Sequence, residues 1–395
     1  MRTSTYNKLK ISKLSLLLAV FAMIFLNIAL LANEPAPHGN EEAKTENHNG
    51  QGAENTDHTT TAATGHDEFD GHGEEDKKFN PGEMILEHIG DAHDWHLFGD
   101  VAVPLPVILY SKEKGFSVFL SSAFEHGHKE VNGYKLLHNG KVATVDGSEF
   151  YDFSITKNVS ILFASLFLMC VIFISVARSF AKNRGKAPKG IQAIFEPFIV
   201  FIRDDVSKAS IGPKYEKYTP YLLMIFFFIW INNMMGLVPF PPPFGGNLTG
   251  NIAVTVTLAV LTFIITHVSA NKNYWSHIFN PPGVPGFVLP ILIPIEIMGV
   301  FIKPVVLTLR LFANITAGHI IGLAFISLIF IFGEMNAGAG YGVAVFSVAF
   351  KVFMLVLELL VAFLQAYVFT LLSAIYIGTA VEEHHHDEHD HAHAH

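Results

Sequence analysis

The chain has 395 residues, of which 50 % are apolar and only 15 % charged, with 35 Phe and a formal net charge of −9. That composition excludes an ordinary soluble domain and points to a polytopic membrane protein. A single cysteine, Cys170, excludes a disulfide framework and a cysteine-based zinc site; it falls in an apolar segment, as a packed or lipid-facing side chain.

Residues 1–32 join a basic start (Arg2, Lys8, Lys10, Lys13) to an apolar run from Leu14 to Leu31, ending at Ala32. This is the pattern of a secretory signal peptide cleaved near Ala32, although the run is also long enough for an uncleaved anchor. Either way, the chain beyond Ala32 is exported. Residues 33–80 are Glu, Asp, His, Gly, Asn and Thr with almost no aliphatic side chains, so they cannot bury a core and are expected to be disordered. Residues 81–153 read as a small mixed α/β extracytoplasmic domain. MILEHIGDAHDWHLFG is expected as a short helix, and VPLPVILYS, FSVFLSSAF and the pair in YKLLHNGKVATV as strands, with Asn139-Gly140 as a hairpin turn. Nothing in it points to catalysis.

Residues 154–381 are expected to form an all-α polytopic unit of five membrane-crossing helices and one interfacial amphipathic helix. Asn158 to about Ala177 is the first span, and Arg178, Lys182, Arg184, Lys186 and Lys189 after it mark the cytoplasmic side. Residues 190–208 have the amphipathic pattern of a helix lying at the interface. Thr219-Pro220 then opens the second span as cap and first-turn proline; the span runs to Leu237 and carries Asn232 and Asn233 near its far end. PFPPPFGG ends it, and the third span runs from about Asn251 to Ser269 and returns to Lys272. The loops at 239–250 and 334–342 carry no Lys or Arg, which puts the mature N-terminus outside and the C-terminus inside.

The last two apolar stretches, 287–333 and 343–380, would measure roughly 70 Å and 57 Å as continuous helices, against about 30 Å of hydrocarbon. Each must tilt, break or extend out of the bilayer. Pro290, Pro294 and Pro304 offer breaks in the first; the second has none.

Arg310 stands in the first of these stretches. A guanidinium at that depth costs about 2.5 to 3.5 kcal/mol on insertion scales, so it usually faces protein or a water-filled cavity. Asn314 lies one turn on and His319 further along. Glu296, Lys303 and Arg310 recur at intervals of seven, as do Lys351, Glu358 and Gln365 in the last stretch, so each set shares a helix face. In an antiparallel hairpin, paired residue numbers have a nearly constant sum: 675 for Arg310 with Gln365 and 677 for His319 with Glu358. One register thus places an amide beside the arginine and an imidazole beside the carboxylate. His319 is half a turn out of phase with Arg310, so both pairs meet directly only if the helices coil; otherwise water bridges the second.

Arginine stays protonated at physiological pH, so it can attract a carboxylate on a partner without surrendering its proton. It would act as an electrostatic gate. His and Glu can both titrate and suit a water-fed relay, as a coupled pair. The alternative is structural: a buried Arg with a Gln partner, a His to Glu hydrogen bond, and Asn314 bonding a neighbouring helix. Placement of all four types in one register favours the proton path.

KPVVLTLRLFANITAGHIIG, followed by LELLVAFLQAYVFTLLSAIYIG, resembles subunit a of the F-type ATP synthase, over roughly residues 158–381. The resemblance implies a stator subunit in the cell inner membrane whose two long tilted helices wrap the c-subunit ring. The resemblance further implies the b-subunit peripheral stalk, the other synthase subunits and membrane lipid as partners. Protons would enter by one half-channel, protonate the ring carboxylate, ride the ring and leave by the other. By position, Arg310 matches the family's essential arginine, Asn314 and Gln365 its polar neighbours, and His319 and Glu358 the extracytoplasmic pair, here in exchanged order. Glu296 resembles the acid of the cytoplasmic exit, with a surface position as its alternative; Lys303 reads as an interfacial anchor.

Of 21 His, only His267, His277 and His319 lie in the membrane portion. The tail 382–395 and the N-terminal run hold residues suited to Zn, Ni or Cu, which makes a divalent metal-cation transporter with His-rich termini the rival reading. Against it, the spans lack a metal cage, and Arg310 would repel a divalent cation near His319. A third class, a membrane scaffold, predicts that the polar line tolerates apolar replacement. The absence of a phosphate-binding glycine loop, nucleophile triad or closed metal motif implies a non-catalytic subunit with no cofactor and no nucleic-acid partner. His319 and the absence of an oxygen cage favour H⁺ over Na⁺ as the ion, a choice the sequence leaves open.

Overall fold

The computed structural model describes residue 82 and residues 90–382, apart from 99–100, 138–139, 184–186, 239–244, 247 and 282–283. The expected signal segment, the acidic stretch 33–80 and the His-rich residues 383–395 lie outside the described residues, as does most of PFPPPFGG.

The N-terminal region is mostly strand. β1 (Asp94–Phe98) pairs antiparallel with β2 (Val101–Pro104), and β3 (Pro106–Ser111) lies between β4 (Gly115–Leu120) and β7 (Phe150–Asp152). β5 (Tyr134–Leu136) and β6 (Val142–Thr144) form a hairpin with Leu136 opposite Val142. The expected turn there is present at Gly140, whose φ of 76 only glycine adopts cheaply. β3 alternates as a half-buried strand should: Val107 and Leu109 point into a core with Phe124, Tyr134 and Val142.

Two sequence expectations fail here. Asp94–Phe98 is a strand where part of a short helix was expected, because the β-branched V-A-V-P segment offers it a pairing partner. SSAF at 121–124 opens a 3₁₀ turn instead of extending β4: Ser121 leaves the ladder, its N–H and Oγ both bonding Leu105.

This region is hydrogen-bonded onto the first membrane helix, α1 (Lys157–Lys182). Asp91 accepts from the backbone N–H of Asn158 at 3.0 Å and from Thr156 Oγ1 at 2.9 Å, and Thr156 is the N-cap of α1. A carboxylate at a helix N-terminus meets the unsatisfied N–H groups and the positive end of the helix dipole. Next to it His93, 5 % exposed, bonds Gly140 O and Asp152 Oδ2, both at 2.9 Å, tying β7 to the chain before β1.

α2 (Ile191–Phe201) continues through a π-turn, Ile202–Lys208, and ends at Gly212, where φ is +69. It is the helix expected at the interface. α3 (Tyr215–Leu237) begins four residues before the expected Thr219-Pro220 cap. Pro213, in the 3₁₀ turn Gly212–Lys214, takes the first-turn role. Thr219 is inside the helix, where its Oγ1 bonds Tyr215 O at 2.8 Å and Ser207 Oγ at 2.7 Å. α4 (Ile252–Val268), capped by Asn251, bends by 102° into α5 (Lys272–Phe279). Among the described residues, four helical stretches are long and apolar enough to cross a membrane, with Ile191–Leu237 read as one, and five if α4 and α5 together make a span. This is the expected all-α polytopic architecture.

α3 is the central helix. Phe226, Phe227 and Phe228 are buried, and Phe195 and Phe198 of α2, Phe173 of α1 and Trp230 of α3 pack ring to ring around the first two. Where lipid tails are as apolar as the side chains, packing and interhelical hydrogen bonds hold helices together. Asn233 donates to Ala362 O at 3.2 Å and accepts from Thr249 Oγ1 at 2.6 Å, and Tyr221 OH meets Thr262 Oγ1 at 2.9 Å.

The two longest helices are α6 (Leu289–Met335) and α7 (Ala337–Val381). Both are continuous: Pro294 and Pro304 lie inside α6 without ending it. The loop expected at 334–342 shrinks to one extended residue, Asn336, whose side chain accepts from Gly338 N at 2.8 Å and caps α7. Gly340 permits this tight reversal, since a Cβ there would sit 2.8 Å from Gly333 Cα.

Candidate functional site

α6 and α7 form the expected antiparallel hairpin. Gln365 Nε2 bonds Arg310 O at 3.2 Å, Gly318 faces Glu358, Gly322 faces Lys351, and the rings of Phe325 and Phe350 lie 3.9 Å apart. These pairs share one register within a turn. Part of the reason is local: Gly318 and Gly322 stand four apart on α6, the small-xxx-small spacing of membrane helix pairs, and their missing side chains leave room for Glu358 and Lys351 of α7.

Arg310 is exposed, near the middle of α6, among exposed Val305, Val306 and Leu309. Its guanidinium makes no hydrogen bond or ion pair among the described residues. The expected amide beside the arginine is present, but Gln365, only 4 % exposed, bonds the backbone carbonyl and leaves the charge unpaired. Asn314, one turn on, is likewise exposed.

Of the two alternatives left open for His319 and Glu358, the direct contact is not formed. The charges that act on His319 are Lys351 and Lys157, the latter at the start of α1. Glu358 faces Gly318, the residue before His319, and pairs instead with Lys351 on its own helix, Nζ to Oε2 at 3.6 Å. The half-turn offset between residues 310 and 319 accounts for this, because a register that seats Gln365 at Arg310 points the imidazole past the carboxylate. Glu358 Oε1 and Ser347 Oγ are both buried and without a hydrogen-bond partner among the described residues. Ser347, Lys351, Glu358 and Gln365 follow at intervals of four, seven and seven, one polar line along α7 toward Arg310. Sequence reasoning missed Ser347 and gave Lys351 no role; for Lys351 the available signal was Gly322, the glycine that faces it.

Glu296 lies fourteen residues before Arg310, about 21 Å along the helix, and is half-buried. It is not brought to the arginine, but it acts electrostatically on Lys303 and Tyr274. Lys303 Nζ sits 5.3 Å from the centroid of the Tyr376 ring. With Thr262, Thr266, His267 and Tyr274, these two residues line a cavity of about 10 Å³, which is room for about one water molecule. Among the described residues no group of three or more His, Cys, Asp or Glu is placed to hold a metal ion.

The sequence model of the family described as ATP synthase A chain matches residues 160–378, and that of a domain of unknown function, DUF8433, matches residues 84–161. The protein of Pelodictyon phaeoclathratiforme described as ATP synthase subunit a is 37 % identical over 383 residues, covering 94 % of this chain and 95 % of that protein. The subunit a of Chloroherpeton thalassium is 42 % identical over 250 residues, 62 % of this chain and 72 % of its own length. That of Myxococcus xanthus is 42 % identical over 251 residues, covering 61 % and 78 %. The alignment over 383 residues takes in the N-terminal strand region as well as the helices.

Proposed function

Since the chain belongs to the ATP synthase subunit a family, we propose that it is the proton-translocating stator subunit of the membrane sector, with Arg310 as the gate between two half-channels. The observation that carries this is the exposed, unpaired guanidinium in mid-helix beside the exposed apolar side chains of Val305, Val306 and Leu309. Such a charge is too costly to leave against lipid, and a partner carboxylate arriving from outside the chain is the occupant its chemistry calls for. That partner is the ring of c subunits, with the b-subunit stalk and the remaining synthase subunits completing the assembly.

The polar line of α7 and His319 of α6 supply the extracytoplasmic half-channel. Protons reach the ring carboxylate past Glu358 and His319, groups that take up and release protons, with Asn314 and Gln365 flanking the arginine. The protonated ring subunit is neutral and moves into lipid; on its return Arg310 draws the carboxylate into its ionised form, and the proton leaves on the Glu296 side. Because arginine keeps its own proton, it blocks direct passage between the two halves. The subunit itself is non-catalytic, and ATP chemistry belongs to the cytoplasmic head.

Positive charge at Arg178 and Lys182 near the C-terminal end of α1, and at Lys189 after it, supports an extracytoplasmic mature N-terminus and a cytoplasmic C-terminus in the inner membrane. The test is ATP-driven acidification of inverted vesicles at matched complex assembly, with Zn²⁺ uptake assayed alongside. Arg310→Ala abolishes pumping and no zinc flux appears; undiminished pumping would sink the assignment, and Arg310-dependent zinc flux would favour a metal transporter.

A further inference from the structure

We propose that Lys351 is a positioning residue of the extracytoplasmic half-channel: seated in the groove at Gly322, it holds Oε2 of Glu358 so that Oε1 stays free to accept the travelling proton. This inference rests on the function proposed above.

Three observations carry it. Lys351 and Glu358 lie on one face of α7 with their charges 3.6 Å apart, an ion pair beyond hydrogen-bond range, and their side chains are 28 % and 11 % exposed. A buried carboxylate needs a compensating charge, because leaving it unpaired costs several kcal/mol. Lys351 is the compensating cation that the structure pairs with it.

The groove is built for the lysine. A Cβ on Gly322 would collide with Lys351 Nζ and lie 3.2 Å and 3.3 Å from its Cε and Cδ. At Gly318, four residues earlier, a Cβ would lie 3.2 Å from Glu358 Oε1. Each glycine of the pair thus accommodates one member of the ion pair, the lysine under Gly322 and the carboxylate under Gly318.

The third observation is the division of labour at the carboxylate. Oε2 faces the ammonium, whereas Oε1 is buried and has no hydrogen-bond partner among the described residues. An ammonium placed on one oxygen fixes the rotamer of the other, and a proton-accepting group held in place reacts far faster than one free to turn. Lysine gives up no proton in this scheme. It orients Glu358, and the proton moves to and from Oε1.

Passive proton flux through the membrane sector and ATP-driven pumping test this in Lys351→Met, Lys351→Arg, Gly322→Ala and, as control, Arg310→Ala, each at matched assembly. Methionine keeps the bulk and loses the charge. Lys351→Met is expected to lower flux about tenfold, the effect of losing one ordinary charge contact, and Lys351→Arg to restore at least half of it. Parental flux in Lys351→Met, or equal loss in Met and Arg variants, would overturn the role. If Lys351→Met does not assemble, Gly322→Ala decides: it displaces the ammonium without removing it, so it must lower flux, and parental flux there refutes the groove. Normal pumping in Arg310→Ala would instead refute the underlying function, and the two failures are thereby told apart.

Discussion

Gln365 donates its side-chain amide to the backbone carbonyl of Arg310 at 3.2 Å and makes no bond to the guanidinium. The amide therefore fixes where α7 stands along α6 and leaves the charge directed outward. Replacing Gln365 by Leu removes one neutral hydrogen bond, worth about 1 kcal/mol. ATP-driven pumping is expected to fall several-fold without being lost. Loss as complete as in Arg310→Ala would show that the amide acts on the charge itself.

Asn233 links three elements, reaching Ala362 O on α7 at 3.2 Å and Thr249 at 2.6 Å from its place on α3. Asn233→Leu leaves two buried polar groups without their partner, in a setting where such contacts are worth about 0.6 to 2 kcal/mol. The expected outcome is a complex that dissociates at lower detergent concentration, read on native gels, with residual pumping per assembled complex unchanged.

The reversal between α6 and α7 depends on Gly340 meeting Gly333. A Cβ on Gly340 would lie 2.8 Å from Gly333 Cα and 3.2 Å from its N, both backbone atoms that cannot step aside. Gly340→Val is expected to force the helix ends apart and to lower the amount of assembled complex in membranes, measured by quantitative immunoblot. Gly342→Ala, where nothing lies within 4 Å of the added Cβ, is expected to assemble normally.

In the N-terminal strand region, burial opposes the His93 cation, but the hydrogen bond and charge of Asp152 outweigh it and hold its pKa above the usual 6.5. Asp152 is also penalised by burial, yet His93 and Ser154 hold it below the usual 3.8. The signs differ. The His93 contribution is complete below about pH 6.5 and is lost as pH rises through its elevated pKa; that of Asp152 is complete above about pH 4 and is lost as pH falls. Asp91, raised by burial, adds a loss on the rising side. Hydrogen exchange of β3 and β7 amides in the intact complex, corrected for intrinsic rates, is expected to show stability falling above about pH 6.5. In His93→Gln that part of the fall disappears.

The helical framework was legible because hydropathy, proline and loop charge act locally: the spans, the long hairpin and its register near 675 all follow from residues that each element contains. The strand at Asp94–Phe98 was not legible, since its pairing partner is what makes it a strand. The start of α3 was misplaced because Gly212-Pro213 turns the chain earlier than Thr219-Pro220 suggests. At the site, numbering alone paired His319 with Glu358, although the half-turn offset already argued against direct contact. The Lys351 and Glu358 pair was the harder case: it depends on the width of the groove that Gly318 and Gly322 leave, a property of two helices together and of neither alone.

The central claim is that Arg310 both drives the ring carboxylate to ionise and bars protons from crossing between half-channels. Proton conductance of vesicles carrying the assembled Arg310→Ala complex, measured with and without ATP, tests it most directly. ATP-coupled transport is expected to disappear while passive conductance persists or rises. Parental coupling with parental conductance would contradict it.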